Sequence, residues 1–141
     1  MGLELLMTDF RFVTETFAVS PQISVADVTA AAAQRFSLII NNRPDGEAPG
    51  QPSAREIEAA ARAAGLDFVS VPVVGRASAD QVDAVRAAVD GATGKVLAYC
   101  RSGARSINTW AQGEAARGGS PADIIKRGAA AGYDLSWLGA S

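Results

Sequence analysis

Short β-rich runs alternate with alanine-rich segments of helical period along this chain of 141 residues. The runs "FSLII", "DFVSVPV" and "KVLAY" (36–40, 67–73 and 95–99) are each followed by one such segment, and two shorter runs, "DFRFV" and "TFAVS", precede them. Crossovers between parallel strands are usually helices of this kind. The pattern predicts an α/β fold in a single domain, residues 1–141, with a central, mostly parallel sheet of about four to five strands flanked by helices. Residues 1–8 are expected to form a flexible N-terminal extension.

Serine residues mark where most of the helices should begin. Ser53 and Ser78 are each followed three residues later by Glu or Gln, which is the spacing of a capping box. Ser24 and Ser120 stand at the same place before two other helical segments. A further helix is expected from about Ser106, after the strand "KVLAY".

Composition excludes several classes of function. The formal net charge of −2 argues against general binding to nucleic acid or to a membrane surface. No apolar run approaches the length of a membrane span, and the first residues do not resemble a signal peptide, so we expect a cytoplasmic protein. The chain contains no histidine, which excludes Cys-His and Ser-His-Asp catalysis and the usual zinc sites. No metal and no cofactor are expected.

The one cysteine of the chain, Cys100, ends the strand "KVLAY" and opens the segment "CRSGARS". A strand, a short loop with glycine and a helix N-terminus together direct backbone N–H groups at an anion. Such surroundings stabilise a thiolate, the nucleophilic form of cysteine. Arg105 would place a guanidinium against a bound oxyanion. Cys100 and Arg105 are therefore the candidate catalytic residues, and the candidate anion-binding loop comprises Arg101, Ser102, Gly103, Ala104 and Ser106.

The alternative is that Cys100 is a small hydrophobic residue at the end of a core strand, as many free cysteines are. The residues that follow it argue against this alternative, because two arginines, two serines and a glycine within six positions continue a core poorly.

The segment "CRSGARS" resembles the active-site loop of rhodanese-type sulfurtransferases. Over a wider range, the stretches "FAVSPQI", "IINNRPDGEAPGQPS", "AGLDFVSVPV", "GKVLAYCRSGARS" and "AAAGYDL" resemble the phosphatase-like domain family found beside β-lactamase-like hydrolases and persulfide dioxygenases. The resemblance implies a fold like that of the dual-specificity and tyrosine phosphatases, and either phosphate hydrolysis or sulfur transfer as the reaction. It also implies a persulfide dioxygenase or a β-lactamase-like hydrolase as a partner.

The spacing within the cysteine loop favours sulfur over phosphorus. Tyrosine and dual-specificity phosphatases place five residues between cysteine and arginine, whereas four lie between Cys100 and Arg105, and Ser106 stands where the phosphatase arginine would be. Donors must lie close to where charge develops, and a shorter loop makes a smaller cradle. Phosphatases also use an upstream aspartate as general acid. The nearest candidate is Asp80, whose place in the first turn of a helix favours a role at the helix terminus instead.

The loop "NNRPDGE" should lie beside the cysteine loop, because both follow carboxyl ends of parallel strands. Within it, Arg43 is a candidate for lining the anion pocket and Asp45 for orienting an arginine. A plain turn fits the same residues equally well, since Asn, Pro, Asp and Gly are turn residues. Arg43, Asp45 and Asp80 are thus the candidate outer residues of the site.

We therefore expect a rhodanese-type sulfurtransferase, in which the Cys100 thiolate takes sulfur from thiosulfate or a small persulfide and becomes a persulfide. The first alternative is a phosphatase that acts on a phosphate ester through a Cys100 phosphocysteine. The second is a non-catalytic module that binds anions or persulfides.

Overall fold

Five strands form one sheet at the centre of the structure, a computed structural model that describes residues 8–139. Of the expected N-terminal extension, all but Thr8 lies outside the described residues. The sheet has the order β1-β2-β5-β3-β4, and every neighbouring pair is parallel except β1 with β2. The predicted α/β fold with a mostly parallel sheet is confirmed. The strands are β1 (Arg11–Phe12), β2 (Phe17–Ser20), β3 (Phe36–Asn41), β4 (Asp67–Ser70) and β5 (Lys95–Tyr99).

Helices cover both faces of the sheet. Within the described residues they are α1 (Val25–Ala33), α2 (Ala54–Ala63), α3 (Ala79–Asp90), α4 (Ala104–Ala116) and α5 (Pro121–Ala130), followed by a 3-10 turn (Ser136–Gly139). The first two helices pack on one face, and the other three pack on the opposite face. None of these helices has the length and apolar character needed to cross a bilayer.

The predicted serine caps are confirmed. The hydroxyl groups of Ser24, Ser53 and Ser78 each accept a hydrogen bond from the N–H three residues later, and the side chain there binds the N–H of the cap in return. Ser120 caps α5 through the N–H of Asp123. These local bonds satisfy backbone donors that a helix leaves unpaired at its start, so they fix where the helices begin.

Two predicted boundaries were wrong. The strand expected over 67–73 ends at Ser70, because Ser70 pairs with Asn41, where the neighbouring strand β3 itself ends. The helix expected from Ser106 begins at Ala104, because Gly103 has φ +92° and turns the chain into the helix two residues earlier. Arg105 consequently lies in the first turn of α4 and not in a loop.

Candidate active site

Cys100 follows β5, a central strand of the sheet, and the whole residue is buried. Val96 and Ala98, the alternate residues before it, belong to the core on the face covered by α4, so strand alternation directs Cys100 toward that helix. The Gly103 N–H donates to Cys100 Sγ at 3.1 Å. The sulfur therefore lies at the floor of a loop that closes over it, at the sheet edge where parallel α/β proteins bind ligands.

The other residues of the loop differ in exposure and in hydrogen bonding. Arg101 and Ser102 are exposed, and the Ser102 hydroxyl accepts a hydrogen bond from the Ala104 N–H at 3.3 Å. The amides of the first helical turn have no partner within their helix, so those of Arg105 and Ser106 are available to an anion. Ser106 is buried, and within the described residues its hydroxyl has no hydrogen-bond partner.

Arg105 is held in place by an acidic residue from the loop after β3. Its Nη1 and Nη2 donate to the two carboxylate oxygens of Glu47 at 2.8 and 2.7 Å, and Nη1 also donates to the Val73 carbonyl at 2.9 Å. The hydrogen bonds to Glu47 raise the pKa of Arg105. Its interactions with nearby Cys100, both Coulombic attraction and a hydrogen bond to the sulfur, raise this pKa further. The arginine is therefore a fixed cation beside the nucleophile.

Arg43 is buried and shares the same carboxylate. Its Nε donates to Glu47 Oε1 at 3.0 Å, and its Nη1 donates to Gln22 Oε1 at 3.1 Å. Gln22 in turn donates its backbone N–H to the carbonyl of Arg101 at 3.3 Å. The loop "NNRPDGE" thus lies beside the cysteine loop, as topology predicts, and the two are joined through Glu47 and Gln22.

Glu47 is ionised over the whole neutral range. Hydrogen bonds from Arg105, and then from Arg43, lower the pKa of its carboxyl group from 4.5 to about 2. It therefore serves as a fixed anion that orients two guanidinium groups, and it holds no proton to give to a leaving group near pH 7.

Asp45 does not orient an arginine in this structure. Its Oδ1 accepts a hydrogen bond from the Ala54 N–H at 2.8 Å, at the start of α2. A carboxylate there satisfies an unpaired helix donor and interacts favourably with the helix dipole. The bond to α2 agrees with the turn alternative for Asp45, and Glu47 is the carboxylate that binds Arg43 and Arg105. Asp80 is exposed in the first turn of α3, as its position predicts; its role in proton transfer stays a prediction.

Three residues of this region were missed by the sequence reasoning: Gln22, Glu47 and Tyr133. Glu47 lies four residues after Arg43, but an i,i+4 pair in a loop carries no helix signal. The hydroxyl of Tyr133, beyond α5, donates to the Ser102 carbonyl at 2.8 Å. Tyr133 belongs to the stretch "AAAGYDL", in which no local pattern indicates a contact with the cysteine loop.

One cavity lies away from the cysteine. It has a volume of about 470 Å³ and lies between α3, α4 and the 3-10 turn, with Arg76, Gln112 and Trp137 among its lining residues. Arg76 stacks over the Trp137 ring at 5.2 Å. In residues 8–139 no group of three or more Cys, Asp or Glu side chains is arranged to hold a metal ion.

Comparison with known proteins gives the family. The model of the phosphatase-like domain of β-lactamase hydrolase-like proteins matches residues 9–117. The chain belongs to this family. A β-lactamase hydrolase-like protein of Agrobacterium fabrum is 37% identical to the domain over 125 residues, which are 87% of this chain and 29% of that protein. The domain thus spans less than a third of the length of this curated relative.

Solved structures agree with this membership. A candidate phosphatase from Neisseria meningitidis Z2491 has a TM-score of 0.83 and 33% identity, with 94% of each chain covered. TpbA of Pseudomonas aeruginosa, solved as a cysteine-to-serine variant in complex with phosphotyrosine, has a TM-score of 0.63 and 15% identity over 84% of this chain and 70% of that one. At that identity TpbA supports the fold alone. The domain therefore has the fold of the tyrosine and dual-specificity phosphatases, as predicted.

Proposed function

We propose that this domain hydrolyses phosphate monoesters through a phosphocysteine formed on Cys100. The observation that carries the proposal is the buried sulfur under the Gly103 N–H, beside an arginine fixed by Glu47. Family membership and the phosphatase neighbours favour this reaction over the sulfur transfer that the loop spacing predicts. The phosphate ester is the small anionic substrate, and the chemistry requires no metal.

The reaction proceeds in two displacements. The Cys100 thiolate attacks phosphorus, an S–P bond forms, and the bond to the ester oxygen breaks with its electron pair on that oxygen, which takes a proton from water and leaves as the alcohol. Water then attacks phosphorus, the S–P bond breaks, and phosphate and the thiolate are released. Arg105 and the amides of the first turn of α4 stabilise the charge on the phosphoryl oxygens during both steps.

Departure of a basic alkoxide requires a general acid, which phosphatases supply from an aspartate upstream of the cysteine. The segment from Val71 to Ala77, after β4, contains no carboxylate, and Glu47 is ionised. We infer a preference for phenolic over alkyl esters, because a phenolate is stable enough to leave with little assistance. The phosphotyrosine in the TpbA structure is an ester of this class.

Sulfur transfer is the second candidate, and a specific observation favours it. Both terminal nitrogens of Arg105 are bound to Glu47, and α4 begins four residues after Cys100. Few hydrogen-bond donors are then free to bind the three oxygens of a phosphoryl group. Transfer of a single sulfane sulfur atom to the thiolate requires fewer donors. The domain would take sulfur from thiosulfate or a persulfide, release sulfite or a thiolate, and pass the sulfur to a second thiophile.

One pair of assays on the same preparations distinguishes these reactions. Hydrolysis of p-nitrophenyl phosphate and sulfur transfer from thiosulfate to cyanide are measured for the wild type and for Cys100→Ser. Mass spectrometry after acid quench identifies phosphocysteine or persulfide at position 100. Hydrolysis that is lost in Cys100→Ser, without sulfur transfer, supports the phosphatase. Sulfur transfer without hydrolysis overturns it, and sulfate binding without either turnover indicates a binding module.

We also propose a β-lactamase-like hydrolase as the partner of this domain. The name and the greater length of the relatives support the pairing. A persulfide dioxygenase is the alternative partner, and it would be expected if the second candidate reaction holds.

A further inference from the structure

One peptide unit of the cysteine loop is bound on both of its sides. The N–H of Gly103 donates to Cys100 Sγ at 3.1 Å, and the carbonyl of Ser102, in the same peptide, accepts from Tyr133 Oη at 2.8 Å. In a trans peptide the C=O and N–H bonds point in opposite directions within one plane. Holding the carbonyl therefore holds the N–H toward the sulfur.

The hydroxyl of Tyr133 also packs directly against Gly103. A Cβ atom at Gly103 would overlap Tyr133 Oη and contact the ring carbon that bears it, and Gly103 has φ +92°. The peptide has little room to rotate while the tyrosine is in place. The hydroxyl thus limits this peptide both by a hydrogen bond and by contact.

The ring of Tyr133 is itself fixed by residues remote in sequence. The guanidinium of Arg11 lies over the ring at 5.1 Å from its centroid and pairs with Asp9 at 2.8 Å. The Tyr133 N–H donates to the Gly128 carbonyl at 2.8 Å. Burial raises the pKa of Tyr133, so the hydroxyl keeps its proton and remains a donor through the neutral range.

We propose that Tyr133 is a positioning residue that orients the Ser102–Gly103 peptide and thereby stabilises the thiolate of Cys100. A hydrogen bond accepted by the carbonyl also polarises the peptide and strengthens its N–H as a donor. The charged and titratable groups around this peptide are Cys100, Arg105 from α4, and the pair of Arg11 and Asp9 behind the ring. This role of Tyr133 rests on the proposed function of Cys100 as a thiolate nucleophile. It is the same whether the thiolate attacks phosphorus or sulfur.

The test compares Tyr133→Phe with wild type by alkylation. Cys100 is the only cysteine, so the rate of reaction with iodoacetamide reports this thiolate alone. Loss of one hydrogen bond to the peptide is expected to lower the alkylation rate at about pH 6 by roughly three- to tenfold. The rate at high pH, where the thiol is fully ionised, is expected to stay within about twofold.

Tyr99→Phe is the matched control, because Tyr99 is the other tyrosine of the chain and packs in the core on the opposite face of the sheet. It should leave the alkylation profile unchanged. The Gly103 amide proton, observed by NMR, should also move upfield in Tyr133→Phe, since its bond to sulfur weakens. An unchanged profile in folded Tyr133→Phe, or an equal change in Tyr99→Phe, overturns the proposal. Alkylation of Cys100 does not require enzymatic turnover. If the wild type shows no hydrolysis, the proposed function is overturned, but the alkylation rates still test the role of Tyr133.

Discussion

Glu47 binds Arg105 through both terminal guanidinium nitrogens, with Nη1 at 2.8 Å from Oε2 and Nη2 at 2.7 Å from Oε1. The two residues are 58 positions apart in the chain, and the same carboxylate also binds Nε of Arg43. A bidentate pair fixes direction as well as distance. One carboxylate thus sets the position of the cation beside Cys100.

Glu47→Gln is expected to slow the reaction. The glutamine side chain has one oxygen that can accept a hydrogen bond from Arg105. Its NH2 group would face the other guanidinium nitrogen, and because both are donors, the second hydrogen bond is lost. We expect kcat/KM for an aryl phosphate to fall about tenfold, equivalent to about 1.4 kcal/mol. Glu58→Gln is the control, because Glu58 pairs with Arg62 on the exposed surface and such pairs contribute little. Equal kinetics in the two variants would show that Arg105 does not depend on Glu47.

Stability should depend on pH through the same carboxyl group. Because the pKa of Glu47 falls from 4.5 to about 2 on folding, its ionised form stabilises the fold fully above about pH 4.5. That contribution is lost as the pH falls toward 2. The difference in free energy of unfolding between wild type and Glu47→Gln should be constant from about pH 6 to 8 and shrink below about pH 4.5. Denaturant titrations at several pH values measure it, and a difference that persists undiminished in acid would contradict the assignment.

Gly103 should tolerate alanine far less well than a glycine of the same backbone conformation. Gly103 and Gly118 have φ +92° and +93°, but a Cβ would meet Tyr133 at the first and nothing within 4 Å at the second. Gly118→Ala is expected to cost about 1–2 kcal/mol of stability with activity retained. Gly103→Ala should cost more and reduce kcat/KM by about a hundredfold or more, since the donor to sulfur moves. Equal effects at the two sites would rule out the contact with Tyr133 as the cause.

Asp45→Ala should affect stability and not the reaction. The variant removes the bond to the Ala54 N–H at the start of α2, for which we expect a loss of about 1 kcal/mol. Ser53→Ala, at the cap of the same helix, should give a loss of similar size. The measurements are denaturant unfolding and kcat/KM side by side. A large kinetic loss at unchanged stability would restore Asp45 as a residue that orients an arginine.

Asp80→Asn tests the proton donor. Asp80 is exposed in the first turn of α3, where a charge is worth about 0.3–1 kcal/mol to the helix. We expect a loss of stability in that range. For phenyl phosphate and for nitrophenyl phosphate alike, the rate of the variant should be similar to that of the wild type. A selective loss on the ester with the poorer leaving group would identify Asp80 as the general acid.

Local signals explain what the sequence could predict. Strand order along the chain, serine caps and the position of Cys100 after β5 depend on residues within a few positions of one another, and these agree with the structure. The early start of α4 was missed because a glycine cap has no side chain and is indistinguishable in sequence from a loop glycine.

The residues that hold the site together could not be found in this way. Glu47 and Tyr133 reach the cysteine segment from 58 and 31 positions away, and no periodicity links such distant partners. Asp45 and Glu47 are two acidic residues of one turn, and their different hydrogen bonds depend on how that turn packs between α2 and α4. The sheet topology predicts that this turn lies near Cys100, but only side-chain geometry distinguishes the two carboxylates.

The hydrogen bond from Tyr133 to the Ser102 carbonyl couples the segment after α5 to the cysteine loop. Local opening of α5 and the residues after it would release this bond while the strands of the sheet stay paired. Hydrogen exchange at the Gly103 amide should then follow the opening of the C-terminal segment and not the global unfolding that governs the amides of β5. A single glycine amide would thereby report how often the nucleophile loses its donor during the life of the folded protein.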